Sequence, residues 1–320
     1  MTHVVDVTGT TSLETQRLNE QWQLQHQSKY ERMRHEGDQG EREAVVRALS
    51  ETAAPSKAIA KFCSCGANAT VWRHRLFHGR TRVRCNKCDH RLCPACSRER
   101  GYVLQTNLQA LAESAGKKLS MITLTLRHTE MALAPTLSRL IKAFHELRRS
   151  LLWKRSVQGG AWVVEIHRGK DGRWHPHIHC LAHAAYIRPS ELSAAWLTAT
   201  GDSTIVDVRR KTAVGGARYV AKYVTKPMSP AVIRDHASLC EMITATRRLR
   251  RCATIGTWRG HDLTTLVIVC DMNDPAGVND PENWEMVCHF SDMLDLAAKG
   301  HAESIQLLAN LRLRRRKETS

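Results

Sequence analysis

Apolar and polar residues alternate along 119–127, where Ile122, Leu124 and Leu126 are separated by Thr123 and Thr125. A period of two marks a strand that buries one face. From Pro135 to about Trp153 the period changes: Leu137, Leu140, Ile141, Phe144 and Leu147 recur at helical spacing, which predicts a helix covering that sheet. Segments 161–167 and 175–183 read as two further strands, and the polar run RGKDGRW between them carries the turn signal Asp171-Gly172, so together they predict a hairpin. A helix over 101–114, a second over 189–200, a strand near 204–209 and a helix over about 216–226, closed by Pro227, complete the unit. This order predicts an α+β fold, a mainly antiparallel sheet with helices packed on it.

Residues 1–58 are polar, offer little to bury and read as an accessory arm. Residues 59–100 form a small cysteine-rich module, 101–230 the α+β domain and 231–320 an accessory region. In that last region a basic helix containing RRLRRC, an apolar strand LTTLVIVCDM and a final helix ending LRLRRRKE are predicted. The chain has 320 residues, 42% of them apolar, enough for a core and about two domains. Its formal net charge of +17 exceeds what solubility needs and points to a polyanionic partner, nucleic acid first. No run of about 18 apolar residues occurs, and the start MTHVVDVTGTTSLETQ lacks a basic then apolar leader, so a cytoplasmic protein away from the membrane is expected. Eleven cysteines in that reducing compartment read better as metal ligands, where clustered, than as disulfides.

The segment WHPHIHCLAH is the most specific local feature. On a strand, His175, His177, His179 and His183 all point to one face, and two imidazoles at i and i+2 can hold one ion. Pro176 places His175 at the mouth of the strand, which leaves His177 and His179 as the best pair. Glu165 is the candidate third ligand, subject to the hairpin register. A strict two-residue turn would set it opposite Ile178 on the wrong face, whereas a longer loop or a bulge would bring it opposite His177 or His179. Two imidazoles and a carboxylate with open positions suit Mg²⁺ or Mn²⁺ engaging a phosphate oxygen. In GGARYVAKYVTKP, Tyr219 and Tyr223 share a helix face, with Lys222 and Lys226 as an adjacent pair. A phenol of pKa near 10 is a weak nucleophile at neutral pH and needs a nearby cation or an activated target.

Cys63, Cys65, Cys85, Cys88, Cys93 and Cys96 occur as CSC, CNKC and CPAC, and residues 61–100 carry ten Lys or Arg against two acidic residues. The first four read as two zinc knuckles, with Cys93 and Cys96 left for a second ion together with His74, His78 or His90. Arg73, Arg75, Arg82 and Arg84 are placed to hold DNA through phosphate contacts. Cys180, Cys240, Cys252, Cys270 and Cys288 are scattered and read as buried hydrophobes.

MITLTLRH, WHPHIHCLAH and YVAKYVTK, in that order and after HRLCPACSRERG, resemble the rolling-circle replication initiators of the His-hydrophobic-His (HUH) endonuclease superfamily, which includes single-strand transposases. The resemblance covers about residues 85–228. It implies that 101–230 is an endonuclease domain, that His177 and His179 bind a catalytic metal and that Tyr223 attacks the scissile phosphate, with Lys222 beside it. The product would be a 5′-phosphotyrosine adduct and a free 3′-hydroxyl that primes synthesis. Plasmid initiators often have Glu where this chain has Tyr219; two tyrosines at this spacing resemble a subgroup of phage initiators and transposases and imply a second transesterification that rejoins the strand. The implied partners are origin DNA, single-stranded at the nick, and a host polymerase and helicase, since no GxxxxGK[ST] loop exists; a homo-oligomer is compatible with all of this. A single-strand transposase would share the chemistry. A non-catalytic zinc-containing DNA-binding regulator would share the charge and cysteines but has no need of the histidines and tyrosines, and a non-haem iron oxygenase would leave the charge unexplained.

Overall fold

The computed structural model describes residues 29–77, 79–116, 118–127, 130–169, 171–225, 229–264 and 281–318, and within them the alternating segments pair into two sheets. In chain order the elements are α1 (Lys29–Arg34), α2 (Gln39–Glu51), α3 (Ser56–Cys63), β1 (Thr70–His74), β2 (Thr81–Arg84), α4 (Pro94–Ser114), β3 (Leu119–Thr125), α5 (Leu133–Arg149) and α6 (Leu151–Ser156). They continue with β4 (Val157–Arg168), β5 (Trp174–Ala184), α7 (Pro189–Thr200), β6 (Val206–Arg210), α8 (Ala213–Thr225), α9 (Pro230–Arg234), α10 (His236–Thr246), β7 (Cys252–Gly256), β8 (Trp284–His289), α11 (Phe290–Ala298) and α12 (Ala302–Glu318). The chain forms two units, Gly37–Cys63 with Cys88–Asp271, and Met1–Glu36 with Ser64–Lys87 and Met272–Ser320.

The larger unit holds the five-stranded sheet, ordered β6-β3-β5-β4-β7 and antiparallel throughout. Ile122, Leu124, Val164, Ile178 and Cys180 are fully buried on one face. The predicted amphipathic helix lies on that side as α5, and its Phe144 packs edge-on against Trp153 and Trp162, with centroids 5.7 and 5.6 Å away. On the opposite face Met121, Ala161, Val163 and Leu181 meet Leu104 and Leu108 of α4 and Ala217 and Val220 of α8. Gly216 allows this close approach, because a Cβ there would fall 2.5 Å from Leu181 Cδ1. The smaller unit is a β2-β1-β8 sheet whose Val71 packs with Phe290, Met293 and Leu307, and Tyr30 of α1 meets Phe290 at 4.8 Å.

The fold class agrees with the expectation, and four details depart from it. The helix expected from residue 101 begins at Pro94, whose missing amide donor suits a first helical turn. The helix expected over 135–153 breaks at Ser150, whose hydroxyl caps α6 by accepting from Trp153 N. RRLRRC is not helical: α10 ends at Thr246, and Cys252 starts β7, an edge strand beside β4. Part of the arm is not free of a core, since α2 buries Val45, Ala48 and Leu49. Residues 1–28 and most of the expected strand LTTLVIVCDM lie outside the described residues. Because Phe144 is fully buried between two indoles, Phe144→Ala should lower the unfolding free energy by about 3–5 kcal/mol, measured by denaturant titration.

Candidate active site and cysteine group

Glu165 lies opposite His177, the register that the longer loop requires. Arg168 pairs with Trp174, so the loop spans residues 169–173, closed by Gly169 N to Arg173 O (2.9 Å) and shaped by Gly172 at φ +75°. On the other side of β5, Thr123 pairs with His179 and Thr125 with His177. The Oγ1 of Thr123 lies 3.1 Å from His179 Nδ1 and that of Thr125 2.9 Å from His177 Nδ1. Each imidazole is therefore held through one nitrogen, which leaves Nε2 as the ligand atom, an orientation typical of metal-binding histidines.

His179 Nε2 donates to Glu165 Oε2 at 2.7 Å, and the ring centroids of His177 and His179 are 6.2 Å apart. The proton shared by His179 and Glu165 stands where a cation could draw on both lone pairs. Burial pushes the His177 imidazole down to about 4, only partly opposed by the Glu165 carboxylate, so it is neutral near pH 7 as a ligand must be. Burial by itself would raise the Glu165 pKa, but the hydrogen bond and charge of His179, with His177 and His167 nearby, outweigh it and hold the carboxyl below its ordinary value. His167 and His175 sit at the hairpin end, with His175 Nε2 3.3 Å from Asp171 Oδ1. His183, opposite Leu119, is at the far end of the strand.

The tyrosines reach this face because α8 crosses it. Thr212 Oγ1 accepts from Gly215 N (3.1 Å) at the helix start, and Gly216 seats the helix on Leu181. The Tyr223 ring stacks on His179 with centroids 4.1 Å apart and planes 2° from parallel, and Tyr219 meets both rings edge-on at 5.5 and 5.3 Å. Tyr223 is buried, and burial, then its hydrogen bond with Tyr219 and the charges of Glu165 and Tyr219, push its phenol well above the ordinary value. Lys222 Nζ stands 5.5 Å from the Tyr223 centroid, and Lys211 Nζ stands 5.4 Å from that of Tyr219. Lys226 lies outside the described residues. Sequence reading missed Thr123, Thr125 and Lys211. The two threonines were visible as the polar half of the β3 alternation, and Lys211 carried no signal.

Within the larger unit Cys88, Cys93 and Cys96 are buried and close enough together to share a metal ion, while Cys65 is buried in the smaller unit. Cys88 lies with Cys93 and Cys96, and Cys63 is not part of that group. Within the larger unit, Cys88 Sγ and Cys96 Sγ are 3.6 Å apart, too far for a disulfide. A tetrahedral zinc with bonds of about 2.3 Å would set its sulfurs about 3.8 Å apart, so the spacing fits. Cys93 stands immediately before α4 and Cys96 lies in its first turn, where the helix dipole favours thiolates. His90 N and Arg42 Nη1 donate to Cys88 and Cys93 at 3.4 and 3.6 Å. His74 is occupied elsewhere, its Nδ1 accepting from Leu76 and Phe77 amides, and His78 lies outside the described residues. Of the scattered cysteines Cys180 is buried, Cys240, Cys252 and Cys288 are only partly so, and Cys270 lies outside the described residues. In the smaller unit Arg82 and Arg84 stack on Trp284 and Trp72 at 3.9 and 4.2 Å, while Arg73 pairs with Glu285 and Glu303.

Among the described residues no helix is long and apolar enough to cross a membrane. A family described as Replication protein (Rep_1) matches residues 80–264, a span that contains the whole histidine and tyrosine face and five-stranded sheet. No curated protein and no solved structure matches the chain. The cysteine geometry gives a direct expectation: elemental analysis of protein purified without added metal should find zinc, and Cys88→Ser or Cys93→Ser should remove it, whereas Cys180→Ser, buried in the core, should not.

Proposed function

The chain belongs to the Replication protein family, and from that membership we propose that it starts DNA replication by cutting one strand with Tyr223 and remaining attached to the 5′ end. The stacking of Tyr223 on His179, itself bonded to Glu165, is the observation that carries this reading.

His177, His179 and Glu165 would hold the catalytic Mg²⁺ or Mn²⁺. When bound, the ion supplies polarisation of the scissile phosphate and offsets the Glu165 charge that opposes phenol ionisation. The remaining work falls to the chain's own residues. Thr123 and Thr125 orient the imidazoles. The Lys222 ammonium near the Tyr223 ring favours the phenolate as the proton leaves. Tyr223 Oη attacks phosphorus, the bond to the 3′ oxygen breaks, the proton lost by the phenol ends on that oxygen, and a 5′-phosphotyrosine and a 3′-hydroxyl result. The 3′-hydroxyl primes a host polymerase, and a separate helicase unwinds the duplex. Tyr219 would make the second transfer that rejoins the displaced strand, a role supported by its edge-on contact with Tyr223 and by the Lys211 ammonium near its ring. A single-strand transposase would use the same face, and flanking genomic DNA distinguishes the two. A zinc-containing regulator leaves the tyrosine–histidine stack without a purpose.

Origin oligonucleotide, labelled 5′ in one set and 3′ in another, should leave label on protein after boiling in detergent only where the label lies 3′ of the cut. Tyr223→Phe should form no adduct, and Tyr219→Phe should form it but not rejoin the strand. An adduct from Tyr223→Phe and none from Tyr219→Phe would reverse their roles. Replacing His177 and His179 with Ala should abolish nicking in Mn²⁺ or Mg²⁺ while duplex binding persists. Thr125→Val, which removes only the partner of His177 Nδ1, should raise the metal concentration for half-maximal nicking by about 10–100-fold.

A further inference from the structure

A cavity of about 500 Å³ opens in the larger unit on the histidine side of the sheet, and Tyr223 and Val163 form part of its wall. Val163 lies opposite His179, so the cavity adjoins the stacked pair. Four guanidinium side chains line it, Arg91, Arg100, Arg247 and Arg251, against a single carboxylate, Asp89, which pairs with Lys61 at 3.3 Å. Arg91 is fixed by donating from Nη1 to Thr246 O and Leu249 O at 3.1 and 3.3 Å. Among the described residues Arg251 donates a long bond, 3.4 Å, to Val164 O, and its buried Nε has no acceptor.

A buried cation with neither a counter-charge nor a full set of acceptors is costly, and a second cation beside it adds to the cost. Burial and the charge of Arg91 lower the pKa of Arg251 to about 10, and burial with Arg100 lowers that of Arg91. An arrangement of this kind is relieved by an anion. Resting on the nicking reading above, we propose that the cavity takes the nucleotide adjoining the scissile phosphate, its own phosphate held by Arg251 and Arg91 and its base or sugar against the apolar wall. The volume suits one nucleotide, and guanidinium forks match phosphate oxygens. A strand that offers one phosphate to Tyr223 must continue past it, and the cavity shares that wall.

The test uses full-length protein carrying Tyr223→Phe, so that binding is read without cutting, and fluorescein-labelled oligodeoxythymidylate in an anisotropy titration at several salt concentrations. Adding Arg251→Gln should weaken binding by about tenfold or more and lower the salt slope by about one. Arg251→Lys should recover most of it, and Arg149→Gln, an exposed charge on α5 removed as a control, should stay within about twofold. Unchanged melting temperature and zinc content establish that the variants are folded; if Arg251→Gln fails that check, Arg247→Gln at the exposed part of the lining should show a smaller loss in the same direction. Affinity and slope equal to those of the Arg149→Gln control would overturn the proposal. Loss of Arg251 dependence while wild-type protein still forms its adduct would fault the cavity alone. Arg251 dependence in a protein that never forms an adduct would fault the nicking reading and leave the cavity standing.

Discussion

Everything proposed for this face depends on the register of β5 between β3 and β4. Because side chains alternate, a shift of one residue on either side would move Glu165 or the two threonines to the other face of the sheet. In the observed register His177 has Glu165 on one side and Thr125 on the other, and His179 has Val163 and Thr123. Every second position along three strands therefore serves the face that α8 crosses. The intervening positions, Ile122, Leu124, Ile178, Cys180 and Val164, are fully buried beneath the opposite helices. Slipping the register would set the imidazoles against the apolar side of α5 and apolar side chains against the tyrosines, so the same hydrophobic term that stabilises the sheet also aligns the candidate ligands.

Charge is arranged on this face with little compensation. A carboxylate held ionised by histidines, an imidazole kept neutral by burial and a phenol pushed up by burial stand in contact or close to it. Beside them, burial and the charge of Arg91 lower the pKa of Arg251, and burial with Arg100 lowers that of Arg91. Such a surface is poorly satisfied alone, and a phosphodiester with a divalent cation has the charges to complete it. The net charge of +17 is thus partly a matter of position, with guanidinium groups concentrated beside the tyrosine–histidine stack. In the smaller unit the arginines of β1 and β2 are instead stacked on tryptophan or paired with glutamate.

Much of the site was legible in the chain because it is built from short periods. Alternation in WHPHIHCLAH put the histidines on one face, and helical spacing put Tyr219 and Tyr223 on another. The α+β class followed from the order of such segments, and α7 appeared at 189–200 as read, between a proline at its start and Gly201 at φ +83° beyond its end. Local pattern failed where long-range contact overrides it. RRLRRC has a helical composition, yet β4 offers an open edge that Cys252 joins, and α2, polar in composition, packs with α10 and buries Val45 and Leu49.

Composition and spacing by themselves determined which residue types were available for metal and phosphate chemistry, and on which face of its own element each stands. They could not decide which face meets which, because that depends on a loop length, on the absence of a Cβ at Gly216 and on strand partners far away in the chain. Tertiary structure alone chose the longer hairpin loop that brings Glu165 to His177, the crossing of α8 that lays Tyr223 on His179, and the grouping of Cys88 with Cys93 and Cys96. It also placed Arg91 and Arg251, 160 positions apart by their numbers, along the wall that Tyr223 shares. Local periodicity follows from backbone geometry that each residue carries with it, whereas these meetings follow from burying apolar surface over the whole domain, a property of no single segment.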